Sequence, residues 1–269
     1  MPVKVVLITG NELRHRYIAA QCSKQCNLVH VYFEQKANVH EKFELSQPQS
    51  ELMAKHFQLR NESEQKYFGT YNDVNSLNNS FIETGASNSP EVVDSIIKMS
   101  PDYIILFGSS LIKEPLLKAF ENRVINIHLG LSPYYRGSGT NFWPLVHNKP
   151  ECVGATIHLA TSQVDAGGIL QQVRPHVSNN DTIHDLGNKT IIAAMEILPS
   201  IIELYDQHEI SPVKQDIETG FVCKRKDLTP DAIKLMYQHF DNGLISSYLQ
   251  DQEKRNNDYP IVDQLNVEK

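Results

Sequence analysis

The sequence predicts a Rossmann-like α/β fold, with a mostly parallel twisted sheet, helices on both faces and a small C-terminal extension. Residues 3 to 9 form an unbroken apolar run, which is typical of a parallel strand buried on both faces. A helical stretch from about Glu12 to Cys26 and a second apolar run from Leu28 to Phe33 follow. This strand, helix, strand order opens a doubly wound sheet, whose ligands bind outside the carboxyl ends of the strands.

The rest of the chain continues the alternation of helices and strands. Residues 37 to 80 are polar and are predicted to form an insertion, which includes a helix over Gln49 to Phe68. Residues 1–208 are expected to form the main domain and residues 209–269 the extension, whose charged end after Gln250 is expected to fray. The other predicted elements are helices that begin at Ser89-Pro90, Asn141, Asp181-Thr182 and Thr229-Pro230, and strands over Tyr103 to Phe107, Val124 to His128, Val153 to Ala160, Ile169 to Val177 and Phe221 to Cys223.

Composition narrows the classes of function. A formal net charge of -7 and a pI near 5.9 argue against a nucleic-acid partner, since such proteins usually carry a basic surface. No apolar run reaches the ~20 residues that span a bilayer, and the start of the chain enters a strand without a cleavage region, so we expect a cytoplasmic protein without a membrane partner. The cysteines and histidines lack a paired metal-ligand spacing, so we predict reduced thiols and no metal.

The most informative residues are Asn126 and His128, which lie two apart on a predicted strand and therefore share one face. Val124, Ile125 and Ile127 mark that strand as buried. A buried amide and imidazole need polar partners or a substrate. Taken alone, His128 would more often be a hydrogen-bonded core histidine and Asn126 a loop anchor.

Asp165 lies in a predicted turn between two strands, where Gly167 and Gly168 allow tight backbone geometry. By itself, this aspartate would more often make an Asx-turn. Together with Asn126 and His128, however, it belongs to five ordered segments that resemble the 10-formyltetrahydrofolate-dependent formyltransferases. Most of all they resemble the sugar N-formyltransferases, whose catalytic domain is similar to that of methionyl-tRNA formyltransferase. The segments are Ile105 to Ile112, Asn126 to His128, Ser132 to Gly137, Gly154 to His158 and Asp165 to Gly167.

The resemblance implies that Asn126, His128 and Asp165 are catalytic. The amide and imidazole would donate to the oxyanion that forms when an amine attacks the formyl carbon. Asp165 would orient or charge His128 and help to move the amine's proton, and a neighbouring carboxylate is expected to raise the pKa of the imidazole. His158 is assigned a mainly structural role. The formyl donor, 10-formyltetrahydrofolate, would lie against Phe107, Gly108, Ser109, Ser110, Leu111, Ile112, Val164 and Asp165.

The formyl acceptor is predicted from two features of related enzymes that this sequence does not show. The turn at Gly10 has no glycine-rich phosphate loop like that of the glycinamide ribonucleotide enzymes. Only about sixty residues follow the long helix, fewer than the C-terminal domain of the methionyl-tRNA enzymes. We therefore predict transfer to a primary amine, most plausibly on a nucleotide-linked amino sugar. The alternatives are a phosphoribosylglycinamide or methionyl-tRNA formyltransferase, a 10-formyltetrahydrofolate hydrolase, and a folate-binding protein without chemistry.

Six residues are candidates to bind the acceptor. Arg136 could meet a phosphate or carboxylate, or be a solvated arginine, and Tyr134 could stack on a base or sugar, or anchor its loop. The helix over Gln49 to Phe68 places His56, Arg60, Glu64 and Tyr67 on one face. That face could close over a substrate, but we interpret it as the exposed surface of the insertion. A homodimer contact through the extension is left open. The candidates are Gly10, Asn11, Arg14, Tyr134, Arg136 and Gly137.

Overall fold

The computed structural model describes residues 3–35 and 48–265, and residues 37–47 of the predicted insertion lie outside those ranges. The described strands are β1 Lys4–Thr9, β2 Asn27–Gln35, β3 Asn79–Glu83, β4 Tyr103–Phe107, β5 Val124–His128, β6 Tyr135–Gly137, β7 Ala155–Leu159, β8 Ile169–Val173 and β9 Phe221–Cys223. The described α-helices are α1 Leu13–Gln25, α2 Pro48–Phe68, α3 Pro90–Met99, α4 Glu114–Ala119, α5 Trp143–Val146, α6 Ile183–Asp206, α7 Pro230–Asp241, α8 Leu244–Gln250 and α9 Gln252–Asp258.

The main sheet has the order β3-β2-β1-β4-β5-β7-β8 within the described ranges. The strands from β3 to β5 run parallel to one another. The last two pairings, of β7 with β5 and of β8 with β7, are antiparallel. This mostly parallel sheet confirms the predicted fold class. The chain builds outward from β1 in one direction and then from β4 in the other, so the topological switch point lies between β1 and β4.

The sheet is covered on both faces because alternate residues of its central strands point to opposite sides. Val5 and Leu7 of β1 belong to a core with α1 and α6. Val6 and Ile8 belong to a second core with α3 and α4. All four side chains are fully buried, which explains why β1 is an unbroken apolar run in the sequence.

The longest helix in the described ranges, α6, begins where the sequence predicts. The hydroxyl of Thr182 accepts a hydrogen bond from the backbone N–H of Asp185 at 3.2 Å, and the Asp185 carboxylate accepts one from the Thr182 backbone at 3.0 Å. This capping box satisfies two backbone donors at the start of the helix. No helix among residues 3–35 and 48–265 is long and apolar enough to cross a membrane.

The interpretation of the α2 face as exposed is wrong. His56 and Glu64 are only 6% and 4% exposed, because α2 packs between α6 and α7. Nδ1 of His56 lies 3.1 Å from the hydroxyl of Tyr237 in α7, and Asn188 in α6 donates to Ser63 at 2.9 Å. His56 and Glu64 therefore face other parts of the protein and not solvent.

The expectation that the chain frays after Gln250 is also wrong for the described residues. Arg255 of α9 forms an ion pair of 2.7 Å with the buried carboxylate of Glu151. Beyond α9, the chain follows the edge strand β8, where the backbone N–H of Gln172 donates to the carbonyl of Val262 at 2.8 Å. One of the charges that suggested a solvated end, Arg255, is thus used in a specific contact with the main domain.

The C-terminal part of the chain also returns to the main domain through a second sheet, in which β9 pairs in parallel with β6. Gly137 pairs with Cys223 in this register. Gly137 has a φ of +97°, and a Cβ there would lie 2.2 Å from the Cys223 carbonyl oxygen, so only glycine fits without moving the backbone. This close approach fixes the β6 segment immediately beside the residues described next.

Candidate active site

The structure brings Asn126, His128 and Asp165 together at the carboxyl edge of the sheet. Both β5 side chains point toward the turn that follows β7, where Asp165 lies. The Asn126 amide nitrogen is 3.3 Å from Oδ1 of Asp165, and Nδ1 of His128 is 3.4 Å from Oδ2. An amide, an imidazole and a carboxylate thus form one cluster, although they come from segments about forty residues apart.

Asp165 is held by its backbone as well as by its partners. Its φ is +48°, a left-handed conformation that aspartate and asparagine tolerate better than most residues. The backbone N–H of Gly137 donates to Oδ2 at 2.9 Å. Burial raises the pKa of this carboxyl, but the neighbouring His128 and His158 and the Gly137 N–H outweigh that effect and lower it to about 2. Asp165 is therefore ionised at neutral pH.

The expectation that Asp165 raises the pKa of His128 is wrong in its net effect. Burial lowers the pKa of this imidazole, and the attraction of the Asp165 carboxylate does not compensate. Nε2 of His128 lies 3.1 Å from the carbonyl oxygen of Tyr135, and Nδ1 faces Asp165. Both ring nitrogens thus face oxygen acceptors, while burial favours the neutral ring with a single proton.

His158 contributes more to this cluster than the structural role predicted for it. It lies directly opposite Asn126 in the antiparallel pairing of β5 and β7. Its Nδ1 is 2.8 Å from the Leu159 carbonyl oxygen, which can only accept, so Nδ1 carries the proton. The unprotonated Nε2 then accepts from the Asn126 amide at 3.0 Å. His158 therefore fixes which end of the Asn126 amide faces Asp165.

A cleft of about 600 Å³ opens beside these residues, at the ends of β4 and β5. Asn126, His128 and His158 all line it. The segment that follows β4 and the Asp165 turn also line it. Every residue predicted to contact the formyl donor lines this cleft: Phe107, Gly108, Ser109, Ser110, Leu111, Ile112, Val164 and Asp165.

A buried glutamate that the sequence did not single out holds the segment after β4. Glu34, at the end of β2, has no exposed surface. Its Oε2 accepts from the backbone N–H of Ser110 at 2.6 Å, and its Oε1 accepts from the Ser87 hydroxyl at 2.7 Å. Charge-assisted bonds of this kind are stronger than neutral ones. The carboxylate of Glu34 thereby sets the position of one wall of the cleft.

The imidazole of His15 occupies the topological switch point between β1 and β4. A Cβ on Gly108, whose φ is +58°, would lie 2.8 Å from Nε2 of this imidazole. Glycine at position 108 therefore lets the chain pass over the buried ring with a left-handed conformation. His15 is 2% exposed, its Nδ1 lies 2.7 Å from a carboxylate oxygen of Glu12, and it lines the cleft.

A second pocket, of about 280 Å³, adjoins the cleft and lies between α2, α6 and the segment after β9. The two spaces are separated by residues that line both: Arg14, Leu129, Ser138, Gly139, Asn141 and Phe142. The pocket therefore lies next to the cleft that Asn126, His128 and Asp165 line. We refer to it below as the second pocket.

The residues predicted to bind the acceptor lie in different places. Arg14 lines both spaces and pairs with Glu64 at 2.6 Å, and Gly137 lines the cleft. Tyr134 donates instead to the Pro260 carbonyl at 2.8 Å, and Arg136 to the Ile217 carbonyl at 2.6 Å. Both side chains thus turn toward the C-terminal segment, which does not support a substrate contact for them.

Gly10 and Asn11 are likewise occupied within the protein. A Cβ on Gly10 would lie 2.8 Å from the ring of His15, so this glycine makes room for the imidazole. The side-chain oxygen of Asn11 accepts from Arg16 at 3.1 Å. Neither residue is among those that line the cleft or the second pocket in the described ranges, so their placement does not support the predicted acceptor role.

A Rossmann-like sheet that carries a buried amide, imidazole and carboxylate beside a deep cleft at its carboxyl edge is suited to group transfer through an oxyanion. Comparison with known proteins identifies the kind of transfer. Residues 3–202 match the formyl transferase family. The chain therefore belongs to that family, whose members take the formyl group from 10-formyltetrahydrofolate.

Two curated relatives illustrate the similarity. The chain is 33% identical to GDP-perosamine N-formyltransferase of Brucella melitensis over 132 residues, which are 49% of this chain and 51% of the relative. It is 28% identical to methionyl-tRNA formyltransferase of Finegoldia magna over 130 residues, which are 48% of this chain and 42% of the relative. The chain thus spans about half, or less, of the length of the curated relatives it matches.

Solved structures share the fold at lower identity. A 4-N formyltransferase from Francisella tularensis superposes with a TM-score of 0.58 at 17% identity, covering 88% of this chain and 87% of that one. An N-formyltransferase from Helicobacter canadensis, in complex with folinic acid and dTDP-3-aminofucose, gives a TM-score of 0.52 at 16% identity, covering 83% of this chain and 72% of that one. At such identities the likeness establishes the common fold.

Proposed function

We propose that the protein transfers the formyl group of 10-formyltetrahydrofolate to the primary amine of a nucleotide-linked amino sugar. The observation that carries this proposal is the convergence of Asn126, His128 and Asp165 beside a cleft of about 600 Å³. The similarity to a GDP-perosamine N-formyltransferase supports a sugar acceptor. So does the fold shared with a formyltransferase that binds dTDP-3-aminofucose.

The donor would lie in the large cleft, with its pterin against the Phe107 to Ile112 segment and the turn at Val164 and Asp165. Backbone N–H and C=O groups of these segments are suited to read the edges of the ring. Glu34 supports this arrangement because its carboxylate holds Ser110 from behind. The formyl carbon would then face the catalytic cluster.

The reaction consists of one bond formed and one broken. The amine nitrogen attacks the formyl carbon, and the carbonyl π electrons move to the oxygen to give a tetrahedral oxyanion. The oxyanion then collapses, the bond from the formyl carbon to N10 breaks, and N10 receives the proton that the amine loses. The products are the formamide and tetrahydrofolate.

Asn126 and His128 would stabilise the oxyanion by hydrogen-bond donation, which is worth about 3 to 4 kcal/mol for a well-placed donor. The oxyanion would replace Oδ1 of Asp165, 3.3 Å from the Asn126 amide nitrogen, as the acceptor of one of its N–H groups. A carboxyl with a pKa of about 2 is a weak base at neutral pH, so Asp165 contributes chiefly through its negative charge. That charge stabilises the ammonium that develops on the attacking amine and favours proton movement through His128 or a water.

The second pocket favours an amine acceptor over water. A hydrolase needs space only for a water molecule beside Asn126 and His128. Here an additional pocket of about 280 Å³ adjoins the cleft. This pocket is large enough for part of an organic acceptor. This supports the transferase proposal over a 10-formyltetrahydrofolate hydrolase.

The test supplies purified protein with 10-formyltetrahydrofolate and a panel of nucleotide-linked amino sugars. We expect release of tetrahydrofolate, with formation of a formamide detected by mass spectrometry, only when an amine is present. Release at the same rate without an amine would instead establish the hydrolase. Formylation of glycinamide ribonucleotide or methionyl-tRNA, with no reaction of any amino sugar, would contradict the proposed acceptor.

A further inference from the structure

We infer that the second pocket is a phosphoryl-binding subsite, in which Arg60, Lys224 and Arg225 receive the diphosphate of the acceptor. The inference rests on the proposed function and adds Lys224 and Arg225, which neither the sequence motifs nor the family resemblance single out. The pocket is placed correctly for this role, since it shares a wall with the cleft that holds the catalytic cluster. An acceptor could therefore extend from the amine into this space.

The first argument is charge. Four cationic side chains line the pocket, against the single carboxylate of Glu64. Glu64 forms ion pairs with Arg14, at 2.6 Å, and with Nε of Arg60, at 3.6 Å, so two guanidinium groups share this one carboxylate. Lys224 and Arg225 are exposed, and neither side chain forms an ion pair among residues 3–35 and 48–265. The pocket thus presents uncompensated positive charge in a chain that is acidic overall.

The second argument is a set of buried polar atoms without a hydrogen-bond partner. Among the described residues, Nε of Arg60, Nδ2 of Asn141 and Nε2 of His184 are buried and unpartnered, and all three residues line the second pocket. The side-chain oxygen of Asn141 accepts from the Gly154 backbone at 3.0 Å, which leaves its amide N–H groups for another acceptor. Such unpaired groups are costly and are common where a ligand supplies the missing bonds.

The third argument is the character of the pocket floor. Phe57, Phe142 and Trp143 line it together with the imidazoles of His56 and His184. Burial lowers the pKa of His184 to about 3 and that of His56 to about 4, with Arg60 lowering both further. Both rings are therefore neutral at pH 7, and Nε2 of His184 can bond a sugar hydroxyl. An apolar floor with cations at one side suits a phosphorylated sugar better than a small inorganic anion.

The same features favour a small phosphorylated molecule over RNA. The cationic residues lie within one pocket of about 280 Å³, whereas RNA-binding surfaces spread positive charge over many phosphates. The net charge of -7 further disfavours an extended polyanion contact. A diphosphate carries the compact charge that this group of side chains can match.

The experiment measures direct binding by isothermal titration calorimetry in the absence of folate. The ligands are UDP, GDP, dTDP and inorganic pyrophosphate. The variants are Lys224→Gln and Arg225→Gln, with Lys226→Gln as the matched control, since Lys226 is equally exposed in the same segment but does not line the pocket. We expect each pocket variant to weaken binding of the preferred nucleotide by about tenfold, as is typical for a charge-assisted contact, and the control to stay within about twofold.

Because Lys224 and Arg225 are exposed, we expect both variants to fold like the wild type. Thermal melting checks this expectation. Weaker nucleotide binding by the two pocket variants, with wild-type affinity for tetrahydrofolate, supports the inference. Equal affinities of all three variants would overturn it, as would a wild-type protein that binds none of the four ligands. Loss of affinity for an RNA acceptor stem, with nucleotide binding unchanged, would also overturn it.

The inference and the proposed function can fail separately. Formylation of an amino sugar with the same KM in wild type, Lys224→Gln and Arg225→Gln would keep the proposed function and remove the subsite. Nucleotide binding that depends on Lys224 and Arg225, without formylation of any amino sugar in the panel, would keep the subsite and remove the proposed acceptor. The binding assay and the turnover assay therefore answer different questions.

Discussion

The cluster of Asn126, His128 and Asp165 lines a cleft that shares a wall with the second pocket, but the two regions differ in how their polar atoms are satisfied. In the cluster, the side chains of Asn126, His128 and Asp165 all have protein partners within 3.5 Å. In the second pocket, polar atoms of Asn141 and His184 are buried without a hydrogen bond among the described residues. The side chains of the cluster are already positioned by contacts within the protein, whereas the second pocket has hydrogen-bonding groups that no described residue satisfies.

This difference corresponds to two physical tasks. Groups that stabilise a transition state act best when they are oriented before the substrate arrives, because no reorganisation is then needed during the reaction. Groups that bind a polar ligand must keep donors or acceptors available for it, and the protein bears the cost of leaving them unpaired. The comparison predicts that substitutions in the two regions affect different measurements.

The largest effect is expected from Asp165→Asn, which should lower kcat by about 100-fold or more. Asparagine tolerates the left-handed backbone at this position, so the change removes the negative charge with little strain. Steady-state release of tetrahydrofolate at saturating donor and acceptor measures it. Asp94→Asn, on the exposed surface of α3, is the control. A variant within a few-fold of wild-type kcat would exclude Asp165 from the chemistry.

A smaller effect, about tenfold in kcat, is expected from His158→Leu, because Asn126 loses the acceptor that orients its amide. The KM for the donor should remain near the wild-type value, since the segment after β4 is untouched. His158→Gln supplies a side-chain oxygen that can accept from the Asn126 amide in place of Nε2, and it should recover part of the rate. If His158 has only a packing role, Leu and Gln should give equal rates, and this outcome would refute its function in positioning Asn126.

The two regions should also respond with opposite signs in stability. His184→Phe removes a buried nitrogen without a partner and should raise the free energy of unfolding by about 1 kcal/mol. Asn126→Ala should lower it by about the same amount, because Nε2 of His158 loses its donor. Urea denaturation at pH 7 measures both. Destabilisation by His184→Phe would show that Nε2 of His184 is already satisfied in the free protein.

The smallest expected effect is the loss of stability in acid that follows from protonation of Asp165. Its folded pKa of about 2 lies below the ordinary value of 3.8, so its stabilisation is fully present above pH 3.8 and is lost as the pH falls toward 2. Lowering the pH from 5 to 3 should reduce the free energy of unfolding of the wild type by about 1 kcal/mol through protonation of Asp165. Urea unfolding of Asp165→Asn should lack that part of the decline, and parallel curves for the two proteins would contradict the lowered pKa.

Local features were predictable from the sequence because they depend on near neighbours. The period of two in β5 places Asn126 and His128 on one face. Hydroxyl caps begin three helices where the sequence predicts them: Ser89 accepts from Val92 at 3.4 Å, Thr182 from Asp185 at 3.2 Å and Thr229 from Ala232 at 3.2 Å. These are interactions over three residues, which a short sequence window contains.

The features that were missed depend on distant parts of the chain. The burial of α2 follows from contacts such as that of His56 with Tyr237, which are 181 residues apart. The position of His158 opposite Asn126 depends on the register of an antiparallel pair that no local pattern encodes. The pKa of His128 depends on its burial, which opposes and exceeds the effect of the predicted carboxylate.

The pairing of β9 with β6 limits how freely the C-terminal segment can be exchanged between relatives. Gly137, whose N–H holds Asp165, is itself paired with Cys223, and Lys224 and Arg225 follow directly. A chimera that replaced this segment to alter the acceptor would therefore also replace the backbone support of the catalytic carboxylate. Redesign of specificity should keep residues 220–223 and begin at Lys224.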